Sequence, residues 1–214
     1  MDFYQKRHLI FSGVFFTTIL LLWPILMALS PITGDVEEQI IAISENTQTF
    51  QLQFFFAFLI APAVIYLIFA LLYKTPRHSN LFFQFGIISM AVYVALVSVS
   101  YGSQMLLVPR LLEAERDLGA AVWLFGSPYS IAYFFNQTGY AFWGFGAIAL
   151  FEPFTRRQGL QKVIGTLMLV SGILSLIAFA GYMLDISFLN ALTILSGIVL
   201  LPVGIMTVIM GSKP

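Results

Sequence analysis

Long apolar runs separated by short polar segments dominate the chain. Six of these runs reach the length of about 20 residues that a helix needs to cross the hydrocarbon core of a bilayer. They lie at about 9–29, 52–73, 81–108, 129–151, 163–184 and 188–210. The runs are continuous and do not alternate apolar with polar residues, which is typical of helices and not of membrane barrels. The pattern therefore predicts an all-α polytopic membrane protein, a single domain over 1–214 with six transmembrane helices.

Two of the polar connections are long enough to hold structure of their own. Asp35 and Glu38 match a helix N-cap with an acidic residue at its third position, and an apolar stretch at 40–43 follows. The segment 110–126 begins polar and amphipathic and ends with an apolar stretch that carries Trp123. Both connections predict short helices at the membrane interface. A lid over a cavity that opens outward is the alternative for the second.

Composition excludes a soluble protein. Hydrophobic residues make up 59% of the chain and charged residues 9%, against about 25% charged residues in a typical soluble domain. Cysteine is absent, and the two histidines, His8 and His78, lie beside basic residues at the ends of apolar runs. Cysteine-based sites are therefore excluded, and no metal and no cofactor is expected. The composition also offers no basic patch for nucleic acid.

The basic residues predict the orientation in the membrane. With the N-terminus inside, the outer segments hold only Arg110 and Arg116. The other basic residues fall on inner segments: Lys6, Arg7, Lys74, Arg77, Arg156, Arg157, Lys162 and Lys213. Basic residues concentrate in cytoplasmic loops. We therefore expect a cell-membrane protein with both termini in the cytoplasm.

Polar side chains interrupt the third and fourth apolar runs. An amide inside a membrane must face protein or water. At 1.5 Å per residue, Ser100 and Asn136 lie about 12 and 10 Å from the outer ends of their helices, so the two runs bring their polar residues to one depth. The predicted cluster consists of Ser100, Tyr101, Gln104, Asn136, Gln137 and Tyr140. It provides either hydrogen bonds between helices or a site for a ligand or solute.

Glycine, proline and aromatic residues add expectations about packing. Gly165 and Gly172, like Gly197 and Gly204, are seven residues apart and predict close helix contacts. Three prolines lie inside apolar runs: Pro24, Pro62 and Pro202. They indicate packing kinks, or carbonyl groups freed to line a site. The 22 Phe, 9 Tyr and 3 Trp form either a lipid-facing coat or a groove for a lipid, quinone or isoprenoid.

The chain contains three short motifs that can be compared with those of other membrane proteins. They are Glu-Asn-Thr at 45–47, Tyr-Lys-x-Pro-Arg at 73–77, and Phe-Trp-Gly-Phe-Gly at 142–146, followed by a basic loop and Gly165. In these motifs, and over about two thirds of its length, the chain resembles an uncharacterised family of small bacterial six-helix integral membrane proteins. The resemblance implies a bacterial cell-membrane location. It assigns no catalytic residues, because the family has no assigned activity.

The apolar runs contain no set of acid, base, nucleophile or metal ligands of the kind an intramembrane enzyme needs. The sequence therefore favours a non-enzymatic protein that binds a lipid-like or other hydrophobic ligand, or that is a subunit of a membrane complex. The alternative is a small transporter or channel that uses the polar cluster, and an intramembrane enzyme is the least favoured. The expected partners are membrane lipids and either another membrane protein or further copies of this chain, with no nucleic acid.

Overall fold

Helices make up nearly all of the chain that the computed structural model describes. It describes residues 3–29, 33–73, 81–155 and 157–213, without the side chain at 155, and this part contains no β-strand. The all-α prediction is therefore confirmed for these residues. The predicted inner loop at 74–80, most of the motif at 73–77 and the basic residue Arg156 lie outside the described residues.

The helices follow one another with short connections. In chain order they are α1 (Phe3–Leu29), α2 (Val36–Glu45), α3 (Thr47–Leu72), α4 (Leu81–Gly102), α5 (Val108–Glu113), α6 (Asp117–Trp123), α7 (Ile131–Ala149), α8 (Glu152–Thr155), α9 (Leu160–Met183), α10 (Ser187–Asn190) and α11 (Leu192–Ser212). A π-helical turn, Ser103–Leu107, joins α4 to α5.

Five helical segments of the described chain are long and apolar enough to cross a membrane, which is compatible with a membrane location. They are Phe3–Leu29, Thr47–Leu72, Leu81–Glu113, Leu160–Met183 and Ser187–Ser212. The fourth predicted span corresponds to α7, which has 19 residues but carries Asn136, Gln137 and several small or aromatic residues that lower its hydropathy. The count of six spans stays a prediction.

The long helices form a closed ring. Following the chain, α1 contacts α3, α3 contacts α4, α4 contacts α7, α7 contacts α9, α9 contacts α11, and α11 returns to α1. Neighbours run antiparallel: Gly86 near the start of α4 faces Leu150 beyond the end of α7, whereas Gly139 of α7 faces Val97. The contact between α4 and α7, on which the predicted polar cluster depends, is confirmed.

Glycines bring neighbouring helices into backbone contact. A Cβ on Gly13 of α1 would lie 2.7 Å from the Gly204 carbonyl oxygen of α11, and a Cβ on Gly144 of α7 would lie 2.7 Å from that of Gly172. The predicted close contacts at Gly172 and Gly204 are therefore confirmed. The prediction for Gly197 is wrong, because a Cβ at this position would have no atom of the described residues within 4 Å. Helical spacing alone does not tell a contact from a gap.

The connection between α1 and α3 folds as a short capped helix, as expected. The Asp35 side chain accepts a hydrogen bond from the Glu38 N–H at 3.0 Å, and the Glu38 carboxylate accepts one from the Asp35 N–H at 3.1 Å. These reciprocal bonds start α2, which packs on α3, α5 and α6 and buries Ile43.

The connection between α4 and α7 differs from the single helix expected over 110–126. Glu115 has a φ of 53°, and its N–H and that of Arg116 donate to the carbonyls of Leu112 and Leu111 at 3.0 and 2.9 Å. This left-handed residue with its crossed bonds ends α5 as a Schellman motif. A separate helix, α6, then begins at Asp117.

Candidate functional site

A cavity of about 520 Å³ lies at the end of the ring that holds α10 and the connection between α6 and α7, mainly between α1, α7 and α11. Single residues of α3 and α4, Ile60 and Tyr101, complete its wall, together with residues of α10. Ligand pockets in proteins have volumes of about 300–1,000 Å³. The cavity is therefore large enough for a small organic molecule or part of a lipid.

The cavity exists because α1 and α11 diverge. The two helices touch at Gly13 and Gly204, closer to the chain termini. Toward the C-terminal end of α1 and the N-terminal end of α11 they separate, so that Trp23 and Pro24 of α1 and Gly197 of α11 line the cavity. The open space beside Gly197 is part of this gap.

Two prolines free backbone acceptors in the cavity wall. Pro24 and Pro202 lie inside α1 and α11. Proline has no N–H, so the carbonyls four residues earlier, at Leu20 and Ile198, lose their helical hydrogen bonds. Both Leu20 and Ile198 line the cavity. The sequence left open whether these prolines kink the helices or free carbonyls for a site, and both residues whose carbonyls lack a helical donor lie at the cavity.

Polar side chains without partners gather in the lining. Asn136 of α7 is 2% exposed, and its Oδ1 has no hydrogen-bond partner among the described residues. The same holds for Nε1 of Trp23 and Oδ1 of Asn190, and all three residues line the cavity. Buried polar atoms are nearly always hydrogen-bonded in native proteins, so three such atoms at one cavity call for an explanation.

Other polar groups of the lining are paired across helices. Gln137 Oε1 accepts a hydrogen bond from Thr193 Oγ1 at 3.0 Å, which joins α7 to α11. Asn190 Nδ2 donates to the Tyr133 hydroxyl at 2.8 Å. The hydroxyl groups of Tyr101 and Tyr140 interact with each other. These bonds fix the wall around the unpaired atoms.

An aromatic wall runs from α1 across to α7. The ring centroids of Trp23 and Tyr101 are 6.4 Å apart, and those of Tyr101 and Phe125 and of Phe125 and Tyr133 are each 5.7 Å apart. All four rings line the cavity. Other aromatic residues, such as Phe134, are exposed on the outside of the bundle. Aromatic residues therefore lie both on the outside of the bundle and in the cavity wall.

The structure divides the predicted polar cluster. Tyr101, Asn136, Gln137 and Tyr140 line the cavity. Ser100 is fully buried and donates to the Ala132 carbonyl at 2.7 Å, which is a bond between α4 and α7.

Gln104 lies in the π-helical turn and does not join this group. Its Nε2 donates to the Trp123 carbonyl at 2.6 Å, and its Oε1 accepts from the Phe125 N–H at 2.9 Å. Gln104 therefore holds the segment between α6 and α7, from which Phe125 extends into the cavity wall.

Sequence reasoning missed Trp23, Asn190 and Thr193 as members of the site. Asn190 and Thr193 lie at the start of the last apolar run, where polar residues are expected at a helix end. Trp23 lies beside Pro24 inside the first apolar run, about two turns before the end of that run, whereas tryptophan is enriched at the ends of membrane spans. An internal Trp-Pro pair was the signal that could have drawn attention to α1.

The cavity opens to the side of the bundle. Leu21 on α1 and Ile194 and Ile198 on α11 belong to its lining and are 43%, 69% and 59% exposed. The lining residues that the structure describes include no Asp, Glu, Lys, Arg or His. The site is therefore a mostly apolar, uncharged chamber with a lateral entrance.

Sequence comparison assigns the family. A model described as a domain of unknown function, DUF4386, matches residues 12–212, which is nearly the whole chain. The chain belongs to the DUF4386 family. The DUF4386 match includes every helix that contributes to the cavity. No curated protein and no solved structure matches the chain.

Proposed function

We propose that this DUF4386 protein is a non-enzymatic integral protein of the cell membrane that binds a lipid-like ligand in the cavity between α1, α7 and α11. The observation that carries the proposal is the Asn136 side chain, 2% exposed, whose amide oxygen has no partner among the described residues and which lies in the wall of a mostly apolar, aromatic-lined cavity. A molecule with an apolar body and a small polar end would fill the volume and pair the amide.

The lateral entrance supports a ligand that arrives from the bilayer. Exposed apolar residues flank the opening on both α1 and α11. In a membrane these residues face acyl chains, so a hydrophobic molecule can enter without crossing water.

We further propose six spans, with α7 as the fourth, and both termini in the cytoplasm. The support for α7 is its place in the ring between α4 and α9, with Asn136 and Gln137 both 2% exposed. A helix that turns its amides into the bundle can cross a membrane despite a lower hydropathy. In this orientation the cavity lies in the outer half of the bilayer.

A small transporter that uses the same cavity is the alternative. Its solute would have to continue past the contact of Gly13 with Gly204, near which Leu9 and Phe16 are fully buried. Packing at this end of α1 and α11 favours binding over passage. The proposed partners are membrane lipids, and the protein would act alone, as a homo-oligomer or as a subunit of a membrane complex.

Native mass spectrometry of the protein released gently from its own membrane tests the proposal. We expect a discrete added mass of lipid size on the wild type. Gly197→Phe should abolish it, because the new ring would occupy the cavity where no atom lies within 4 Å of the Cβ position.

Ile205→Phe is the matched control, since Ile205 is on the same helix, is 46% exposed and does not line the cavity. It should retain the added mass. A wild type that carries no added mass, or a Gly197→Phe variant that carries it in full, would overturn the proposal.

A further inference from the structure

Resting on the proposed function, we propose that the ligand is an uncharged amphiphile whose polar end carries hydroxyl or amide groups, the chemistry of an acylglycerol or a long-chain alcohol. Ionised lipids, such as fatty acids and phospholipids, and quinones, which only accept hydrogen bonds, are excluded by the same lining.

The absence of charge in the lining carries the first step. The polar members of the wall are amides, hydroxyls and an indole, and no described lining residue is ionisable to a cation or a carboxylate. An ion moved out of water into such a site loses its hydration without gaining a counter-charge, and this cost is large. A carboxylate or phosphate therefore fits poorly where a neutral group fits well.

The unpaired atoms carry the second step. The amide oxygens of Asn136 and Asn190 need hydrogen-bond donors, and the indole N–H of Trp23 needs an acceptor. A hydroxyl or a primary amide supplies both functions. A quinone or a simple ester offers acceptors only, so the two amide oxygens would stay unpaired at the cost of their desolvation.

Backbone acceptors add to the demand for donors. Leu20 and Ile198, whose carbonyls have no helical N–H donor because Pro24 and Pro202 follow four residues later, also line the cavity. Among the buried unpaired side-chain atoms of the described lining, acceptors outnumber donors by two to one. A polar end with more than one hydroxyl, such as the free end of a monoacylglycerol, matches this excess.

The test compares three radiolabelled probes with the same saturated chain, bound to the delipidated full-length protein in detergent. The probes are the monoacylglycerol, the free fatty acid at a pH where it is ionised, and the fatty acid methyl ester, which only accepts hydrogen bonds. We expect the monoacylglycerol to bind at least about tenfold more tightly than the other two. The methyl ester lacks one or two hydrogen bonds that the monoacylglycerol can donate, and the ionised fatty acid would bury a charge.

Asn136→Leu should reduce the monoacylglycerol affinity to that of the methyl ester and leave the methyl ester affinity unchanged. Trp23→Phe, which removes only the indole donor, provides a second variant with a smaller effect in the same direction. Tighter binding of the fatty acid or the ester by the wild type, or an unchanged preference in both variants, would overturn the inference and leave the proposed function standing. If none of the three probes binds, the inference also fails, and the proposed function fails with it only if the wild type carries no added mass in native mass spectrometry.

Discussion

A single carboxamide, that of Gln104, holds the segment between α6 and α7 against the bundle. It bonds to the Trp123 carbonyl and the Phe125 N–H at once. Asn136 presents the opposite case, because its buried oxygen has no partner in the described chain. The two amides look alike in the sequence, but one belongs to the framework and the other to the site.

Gln104→Leu should destabilise the protein by about 1–3 kcal/mol, because two main-chain groups lose their partner. Thermal unfolding in detergent measures the loss, and hydrogen exchange should show faster exchange of the Phe125 amide. Gln48→Leu, on the exposed surface of α3, is the control and should change neither quantity. Unchanged exchange at Phe125 in the Gln104 variant would contradict this assignment.

Neighbouring amides of α7 should respond differently to the same substitution. Asn136→Leu should leave the stability of the ligand-free protein unchanged or raise it, because an unpaired buried amide is replaced by an apolar group of similar size. Gln137→Leu should lower stability by about 0.6 kcal/mol, since it breaks the bond to Thr193. The unfolding temperatures of the delipidated variants measure both effects. A larger loss of stability for Asn136→Leu than for Gln137→Leu would mean that the Asn136 amide is structural.

For the helices, hydropathy predicts well where long helices form, but it predicts less well which side of a helix a given residue faces. The six apolar runs all became long helices because every backbone group must be paired within a membrane, whatever the neighbours. The face that Gln104 presents was harder to predict. The turn Ser103–Leu107 is π-helical, and its wider turn breaks the 3.6-residue register that joined Ser100 to Gln104.

Two glycines of the bundle should respond oppositely to alanine. Gly13→Ala places a Cβ 2.7 Å from the Gly204 carbonyl oxygen, so the helices must move apart at a cost of about 1–3 kcal/mol. Gly197→Ala meets no atom within 4 Å and should be neutral or stabilise α11 by about 0.5–1 kcal/mol. Comparison of their unfolding temperatures checks the pair. Equal losses would mean that α11 packs tightly along its whole length.

In the molecule as a whole, the contact between α1 and α11, the first and last long helices, determines both the closed ring and the cavity. It closes the ring, and the divergence of α1 from α11 beyond this contact creates the cavity. Connectivity and depth predicted the α4–α7 contact, since these helices are consecutive. They gave no information on α1 and α11, which are distant in the chain, and the cavity could therefore not be predicted from the sequence.

The proposed six spans would place the two ends of α7 on opposite sides of the membrane. The chain has no cysteine, so single-cysteine variants give a clean readout with an impermeant maleimide on intact cells. Ala114→Cys should be labelled from outside, whereas Phe3→Cys and Gln158→Cys should be labelled only after the membrane is opened. Labelling of both Ala114→Cys and Gln158→Cys from outside would show that α7 does not cross.

We propose that the side-chain amide of Asn136 contacts the bound ligand. The chain has four asparagines, Asn46, Asn80, Asn136 and Asn190, so asparagine-selective isotope labelling gives a sparse set of side-chain amide signals that substitution can assign. The decisive measurement is the nuclear Overhauser effect between these amides and the protons of the co-purified ligand, with protein and bulk lipid deuterated. We predict contacts from Asn136 and Asn190 to the ligand and none from the exposed Asn46. An Asn136 amide that contacts only water or protein, in a sample that retains its native lipids, would contradict the account.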